Sequence, residues 1–178
     1  MPYTNTNANN VHLGTCSVLF GVTDLGLTKG GVEVQIQTQT YKITVDQFGS
    51  TEINEYITGR TAMVKVPMAE TDVTLLANVI PNSTLITDTV TPTKKKLNVG
   101  TSTGASLRTF ANKLVLHPVA QAAGSKNFDF TLPICCPKGD FTFAYKLDEE
   151  RVYNVEFYAY PDLSTGLLYV IGDESATV

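Results

Sequence analysis

The chain has 178 residues, enough for one domain with a real core; 43% are hydrophobic and only 17% charged. A charge fraction well below the usual quarter, with strong apolar patterning, implies a surface covered by neighbours more than by water. The formal net charge of -4 argues against a dedicated nucleic-acid binder, which shows phosphate a basic face, but leaves room for a surface that nucleic acid passes without sticking.

Taken in order, the start MPYTNTNANNVHLG lacks a basic beginning and an apolar core, so no signal peptide is expected. No run approaches a membrane span. The expectation is a product that stays in the cytoplasm at first, with no membrane anchoring. Residues 1–11, rich in Asn and Thr, read as a flexible N-terminal arm that orders on assembly. His12 to Val22 reads as a first strand, Asp24 to Lys29 as a turn, and Gly30-Gly31 opens a long β-hairpin that runs to Glu70.

That hairpin organises the rest. Val32, Val34 and Ile36 point one way and Glu33, Gln35, Gln37 and Gln39 the other, because side chains alternate along a strand. On the return arm Ala62, Val64, Val66 and Met68 share a face, with Thr61, Met63 and Lys65 opposite. Each arm holds about 12–16 residues, against a usual strand of about 5–6. The apolar face uses even positions to Ile36, then odd ones at Tyr41, Ile43 and Val45. This slip predicts a bulge or bend near Thr38 to Thr40. Two readings stand beyond it. Either the distal part, 41–58, buries its apolar side on another molecule, or it folds back on its own core.

Past the hairpin, Thr71 is expected to cap a helix of about two to three turns. Its stripe is Val73, Leu76, Ala77 and Ile80, and Pro81 and Asn82 end it. Residues 83–106 alternate weakly and turn loop-like. Lys94-Lys95-Lys96 lies there, read as a solvated loop over a contact with phosphate or an acidic partner. Leu107 to His117 reads as a strand. In Asn127 to Pro133, Phe128, Phe130 and Leu132 are expected inward, with Asn127, Asp129 and Thr131 outward. Phe141 to Tyr145, Glu150 to Tyr160 and Leu167 to Gly172 complete the strands. No repeat and no composition break divides residues 1–178, so a single domain is expected. The class is mainly β: a β-sandwich or flattened barrel with one flanking α-helix and a protruding hairpin.

Catalytic chemistry is thinly provided. His12 and His117 are the two histidines, and His117 reads as a strand-end residue. Cys135-Cys136 lacks a zinc-knuckle spacer, and beside Pro133 and Pro137 reads as two small buried residues rather than a vicinal disulfide. Phosphate-loop, G-x-S-x-G and H-E-x-x-H patterns are missing. Asp148-Glu149-Glu150 reads as a solvated turn, not as glycosidase carboxylates. Neither an enzyme nor a cofactor nor a metal site is expected.

The segments HLGTCSVLFGVTDLGLTKGGVEVQI, TVDQFGSTEINEYITGRTAMVKVPMAET, LVLHP, FDFTLP…KGDFTFAY and VYNVEFYAYPD…LLYVIGD carry a resemblance of order and flavour over nearly the whole chain. In these the chain resembles the major tail tube proteins of long, non-contractile tailed bacteriophages. The resemblance implies a structural virion protein that self-assembles into stacked, hexameric rings. Their inner sheets join around a lumen through which double-stranded DNA passes without specific binding. It also implies a place in the virion tail, with tape-measure and tail-tip or terminator proteins as partners. On that view Glu33, Gln35, Gln37, Gln39, Thr61 and Lys65 line the lumen, Lys65 departing from an otherwise neutral or acidic wall. Asp46, Phe48, Ile53, Tyr56 and Ile57 make an inter-subunit tip. Two other readings compete: another virion protein, such as a capsid decoration or minor tail protein, and a carbohydrate-binding β-sandwich module. The second needs an exposed aromatic platform, and Trp is absent.

Overall fold

The computed structural model describes residues 14–177. Two antiparallel sheets and one helix make up the fold. The strands are β1 (Cys16–Phe20), β2 (Thr23–Asp24), β3 (Glu33–Thr44), β4 (Glu52–Met68), β5 (Ser83–Thr87), β6 (Lys95–Val99), β7 (Asn112–Pro118), β8 (Phe130–Pro137), β9 (Tyr153–Ala159) and β10 (Val170–Ile171); the helix α1 is Val73–Val79. The large sheet has the order β2-β1-β7-β8-β9-β4-β3, with β10 also on β8, and β5-β6 form the small one. The first strand begins at Cys16, and the expected contributions of His12 and the 1–11 arm lie outside the described residues.

Alternation builds the core. Val64, Val66 and Met68 of β4 lie opposite Phe157, Val155 and Tyr153 of β9, and all six are buried. Val18 and Phe20 of β1 face Leu116 and Leu114 of β7 in the same way. Side chains of period two on both strands meet in one layer, so a single apolar face forms without special residues. The Phe157 ring sits 5.0 Å from that of Phe20, tilted by 55°, a favourable aromatic geometry.

The chain between β2 and β3 ties the two ends of this sheet. The Leu25 amide donates to Val18 O of β1 (2.9 Å), the Lys29 amide to Pro67 O (3.0 Å), and the Ala69 amide to Leu27 O (2.8 Å), while Thr28 bridges Met68. The Leu27 amide also donates to Glu70 Oε1 at 2.9 Å. Gly26, at φ 75°, makes this latch possible: a Cβ there would stand 2.5 Å from Glu70 Cδ.

Helix α1 lies between the core and the small sheet. Asp72, not Thr71, is its cap, its side chain accepting from the Thr74 amide. The expected stripe is displaced: Val79 is the fully buried residue, Leu75, Leu76 and Ile80 pack on the core, and Val73 and Ala77 are only partly buried. Starting the helix one residue later moves the first turn. The side facing the body is then chosen by what lies beneath it, not by the best-spaced run of apolar residues.

Three other expectations are corrected. Leu107–Phe110 is a 3-10 turn, and β7 starts at Asn112. Residues 141–145 are irregular, with Phe141 and Phe143 folded against Tyr153 (ring centroids 5.4 and 4.8 Å). In the 127–133 stretch Leu132 is buried and Phe130 packs against the core as expected, but the rest of the alternation is not kept. Phe128 is 49% exposed, whereas Asp129 and Thr131 are buried along with Leu132. Asp129 is drawn in by the ring of His117 on β7, Nδ1 to Oδ1 2.7 Å, a polar partner that offsets its desolvation.

Because Phe157 is buried at the centre of this layer, Phe157→Ala is expected to cost about 3–5 kcal/mol. The loss is read as a lower urea midpoint at unchanged slope.

Candidate functional site

Strands β3 and β4 form the longest ladder, and it outruns the core. Pairing continues from Glu33–Lys65 to Thr44–Glu52, with register shifts between Gln39 and Thr40 and between Ile43 and Thr44. The expected irregularity near Thr38 to Thr40 is therefore present. Its extra residue, however, is Thr58 on β4, lying between the partners Gly59 and Ile57. Strand β3 continues its alternation unbroken, so odd positions stay on one side of the ribbon throughout.

The register then decides which residues share a face. On one side the cross-strand pairs are Glu33–Lys65, Gln35–Met63, Gln37–Thr61 and Gln39–Gly59. All six sequence-predicted polar residues thus fall on a single surface, together with Met63. Strand β9 extends it: Glu156 lies opposite Lys65 and Tyr158 opposite Met63. Lys65 consequently sits between two acids, Glu33 and Glu156, so it leaves its row net acidic. The Tyr158 hydroxyl donates to Glu156 Oε2 at 2.7 Å, which holds the phenol above its usual range, and Lys138 Nζ lies 3.8 Å over the Tyr158 ring.

Beyond the bulge the polarity of the two faces inverts. The pair Tyr41–Tyr56 continues the Glu33–Gln39 side, and these rings are 65% and 57% exposed. The opposite side, apolar near the body at Val64 and Ala62, becomes polar at the tip. There Thr40 Oγ1 donates to Glu55 Oε1 (2.6 Å) and Lys42 Nζ to Glu52 Oε1 (2.7 Å). That bond to Glu52 is the main reason the Lys42 ammonium is held above its usual range. Asp46–Phe48 forms a 3-10 turn at the end. Phe48, Ile53 and Ile57 are each at least half exposed, so of the two readings of the distal arm the structure lacks the one in which it folds back on its own core.

Among the described residues the outer edge of β3 carries no strand, since β3 ends the sheet. Val34 and Ile36, on the core side of this edge strand, are both 38% exposed. An unpaired edge of twelve residues is an open template for another strand.

Elsewhere the described residues offer little chemistry. Ser17 and His117 lie on the paired strands β1 and β7, with Asp129 just before β8, but the Ser17 hydroxyl donates to the His117 carbonyl (3.4 Å), and His117 Nε2 is buried with no partner among the described residues. That nitrogen is closed to a substrate. No group of three or more His, Cys, Asp or Glu among the described residues is placed to hold a metal ion. Cys135 and Cys136 are free and buried. Desolvation, with a smaller contribution from Cys136, pushes the Cys135 thiol far above its usual range, and desolvation raises Cys136 as well. The sequence reading placed Met63 on this face with Thr61 and Lys65 but missed Glu156 and Tyr158, which only the pairing of β9 with β4 brings there. No protein-family model matches the chain, and no curated protein matches it.

Two expected outcomes follow from this geometry. In the isolated protein, amides of 41–57 are expected to exchange with deuterium far faster than those of 62–68, because among the described residues no second layer covers the distal ladder; equal protection of the two stretches contradicts this. In the native protein Cys135 and Cys136 resist an aromatic disulfide reagent, and they titrate fully once the protein is unfolded in guanidinium.

Proposed function

We propose that the protein is a structural subunit of a self-assembling tube, the tail tube of a long non-contractile phage tail, and that it has no catalytic role. One observation carries this reading: among the described residues the β3–β4 ribbon has an open edge, a polar face beside the body and an apolar tip with nothing of its own to cover. A subunit of that shape is incomplete alone. Joining the β3 edge to a neighbour removes the aggregation hazard of a long free strand, and closing such joins around an axis makes a ring.

In the ring, the face of Glu33, Gln35, Gln37, Gln39, Thr61 and Lys65 turns to the lumen. Its neutral and acidic groups give DNA no counterion-release attraction, so the duplex slides rather than binds. Lys65 fits this wall because Glu33 and Glu156 flank it. The tip residues Asp46, Phe48, Ile53, Tyr56 and Ile57 dock on another subunit in the same or an adjacent ring, burying their exposed apolar surface. The body is a flattened barrel. The hydrogen bonds of Leu25, Leu27 and Lys29 to β1 and β4 support that closure, because they span the gap between the two ends of the large sheet. The resemblance to tail tube proteins supplies the hexameric ring, the tape-measure and terminator partners and the virion location as parts of the same proposal.

Negative-stain microscopy of the concentrated protein tests the reading. Rings or tubes are the expected result, and monodisperse monomers at every concentration contradict it. Deleting residues 49–55 removes the end of the tip, and is expected to leave the circular dichroism of the body intact while abolishing tubes. Normal tubes from this variant exclude docking through the tip.

A further inference from the structure

The tip has a definite charge as well as an apolar surface. Between Thr40 and Ile57 one cation, Lys42, stands against three acids, Asp46, Glu52 and Glu55. Glu52 is taken by Lys42, and no ion pair engages Asp46 or Glu55 among the described residues. A partner of the tip must therefore offer positive charge next to an apolar recess.

Most cations of the chain are already committed. Lys29, Lys42, Lys113 and Lys146 pair with Glu150, Glu52, Glu174 and Glu149. Lys138 lies on the Tyr158 ring, Arg151 lies over the rings of Tyr145 and Tyr153, and Arg108 donates both terminal nitrogens to Pro161 O. Among the described residues the one run of adjacent cations that no ion pair engages is Lys94, Lys95 and Lys96, at the turn and start of β6.

Its surroundings fit an apolar, acidic visitor. In the β5–β6 ladder Lys96 lies opposite Ile86 and Lys95 opposite Thr87. Alternation puts Lys96 and Ile86 on the outer face, while Lys95 reaches back to donate to Thr74 Oγ1 of α1 at 3.0 Å. Ile86, Asp88 and the three lysines enclose a shallow cleft of about 390 Å³, roomy enough for one aromatic ring. Asp88, the acid beside them, spends its Oδ1 on the amides of Val90 and Thr91. Val90, at 88% exposed, borders the same turn.

We infer that the β5–β6 hairpin is the seat for the β3–β4 tip of a second copy of this chain. Phe48 enters the cleft beside Ile86, and Asp46 and Glu55 face Lys94 and Lys96. The inference rests on the tube reading above and adds the receiving surface to it. The contact is heterologous, two different patches of one subunit meeting on successive subunits, so it propagates instead of closing on itself as a twofold pair does. Its charged component makes assembly weaken with added salt.

Charge exchange between the two patches tests it. Lys94→Glu with Lys96→Glu, leaving Lys95 on α1, and separately Asp46→Lys with Glu55→Lys, are each expected to raise the concentration for half-assembly by about tenfold or more. Joining all four changes in one chain is expected to return it to near the wild-type value. Wild-type assembly by Lys94→Glu/Lys96→Glu, or a four-fold variant as weak as its parents, overturns the seat while leaving the tube intact. Monomers at every wild-type concentration overturn both. A second measurement needs no variant: carbodiimide cross-linking of mixed isotopically light and heavy wild-type protein. Mixed-label links from Asp46 or Glu55 to Lys94 or Lys96 are expected. Mixed-label links confined to other lysines overturn the seat.

Discussion

The mismatch between one strand and the core beneath it governs this structure. Strand β4 is seventeen residues long, yet its buried side chains lie only between Ala62 and Met68. Every amide and carbonyl along it still needs a partner, and β3 supplies one edge of the ladder almost to the tip. The result is a two-stranded ribbon projecting from a packed body. A lone ribbon is marginal in water, and the proposed assembly would complete it with a neighbouring subunit.

The bulge at Thr58 gives that ribbon its chemical character. By adding one residue to β4 and none to β3, it leaves the β3 faces continuous while the apolar sequence pattern changes phase. Glu33 to Gln39 and the Tyr41–Tyr56 pair therefore share a side, polar near the body and aromatic at the end. On the proposed tube reading, that one surface meets an aqueous lumen and, further out, an apolar neighbour. A strand with a constant pattern cannot serve both, because every residue on one side would have the same polarity.

Much of this was legible in the residues. The even-numbered run Ala62 to Met68 marked the core face, and the opposed polar run marked the other. The phase slip after Ile36 located the irregularity within two residues. Elsewhere, patterns of the same quality misled. The alternation of Phe128, Phe130 and Leu132 is clean, yet Phe128 is exposed while Asp129 and Thr131 are buried beside Leu132, His117 on a neighbouring strand supplying Asp129 with a partner. The FTFAY pattern of Phe141 to Tyr145 is strand-like, but finds no ladder and packs its rings on Tyr153 instead. In α1 the best-spaced apolar stripe lost to the one that includes Val79.

What the amino-acid sequence by itself determined is local: which stretches extend, which faces are apolar, where the pattern breaks, and that a long polar-and-apolar hairpin lies at the centre of the chain. These follow from side-chain alternation and turn chemistry, which act over a few residues. Tertiary structure alone decided which strand carries the extra residue, that Glu156 joins Glu33 around Lys65, and that, among the described residues, nothing covers the tip and no ion pair engages Lys94 or Lys96. Each of those depends on pairings between segments tens of residues apart. A strand's own pattern gives its two faces but does not name the neighbour that each face meets.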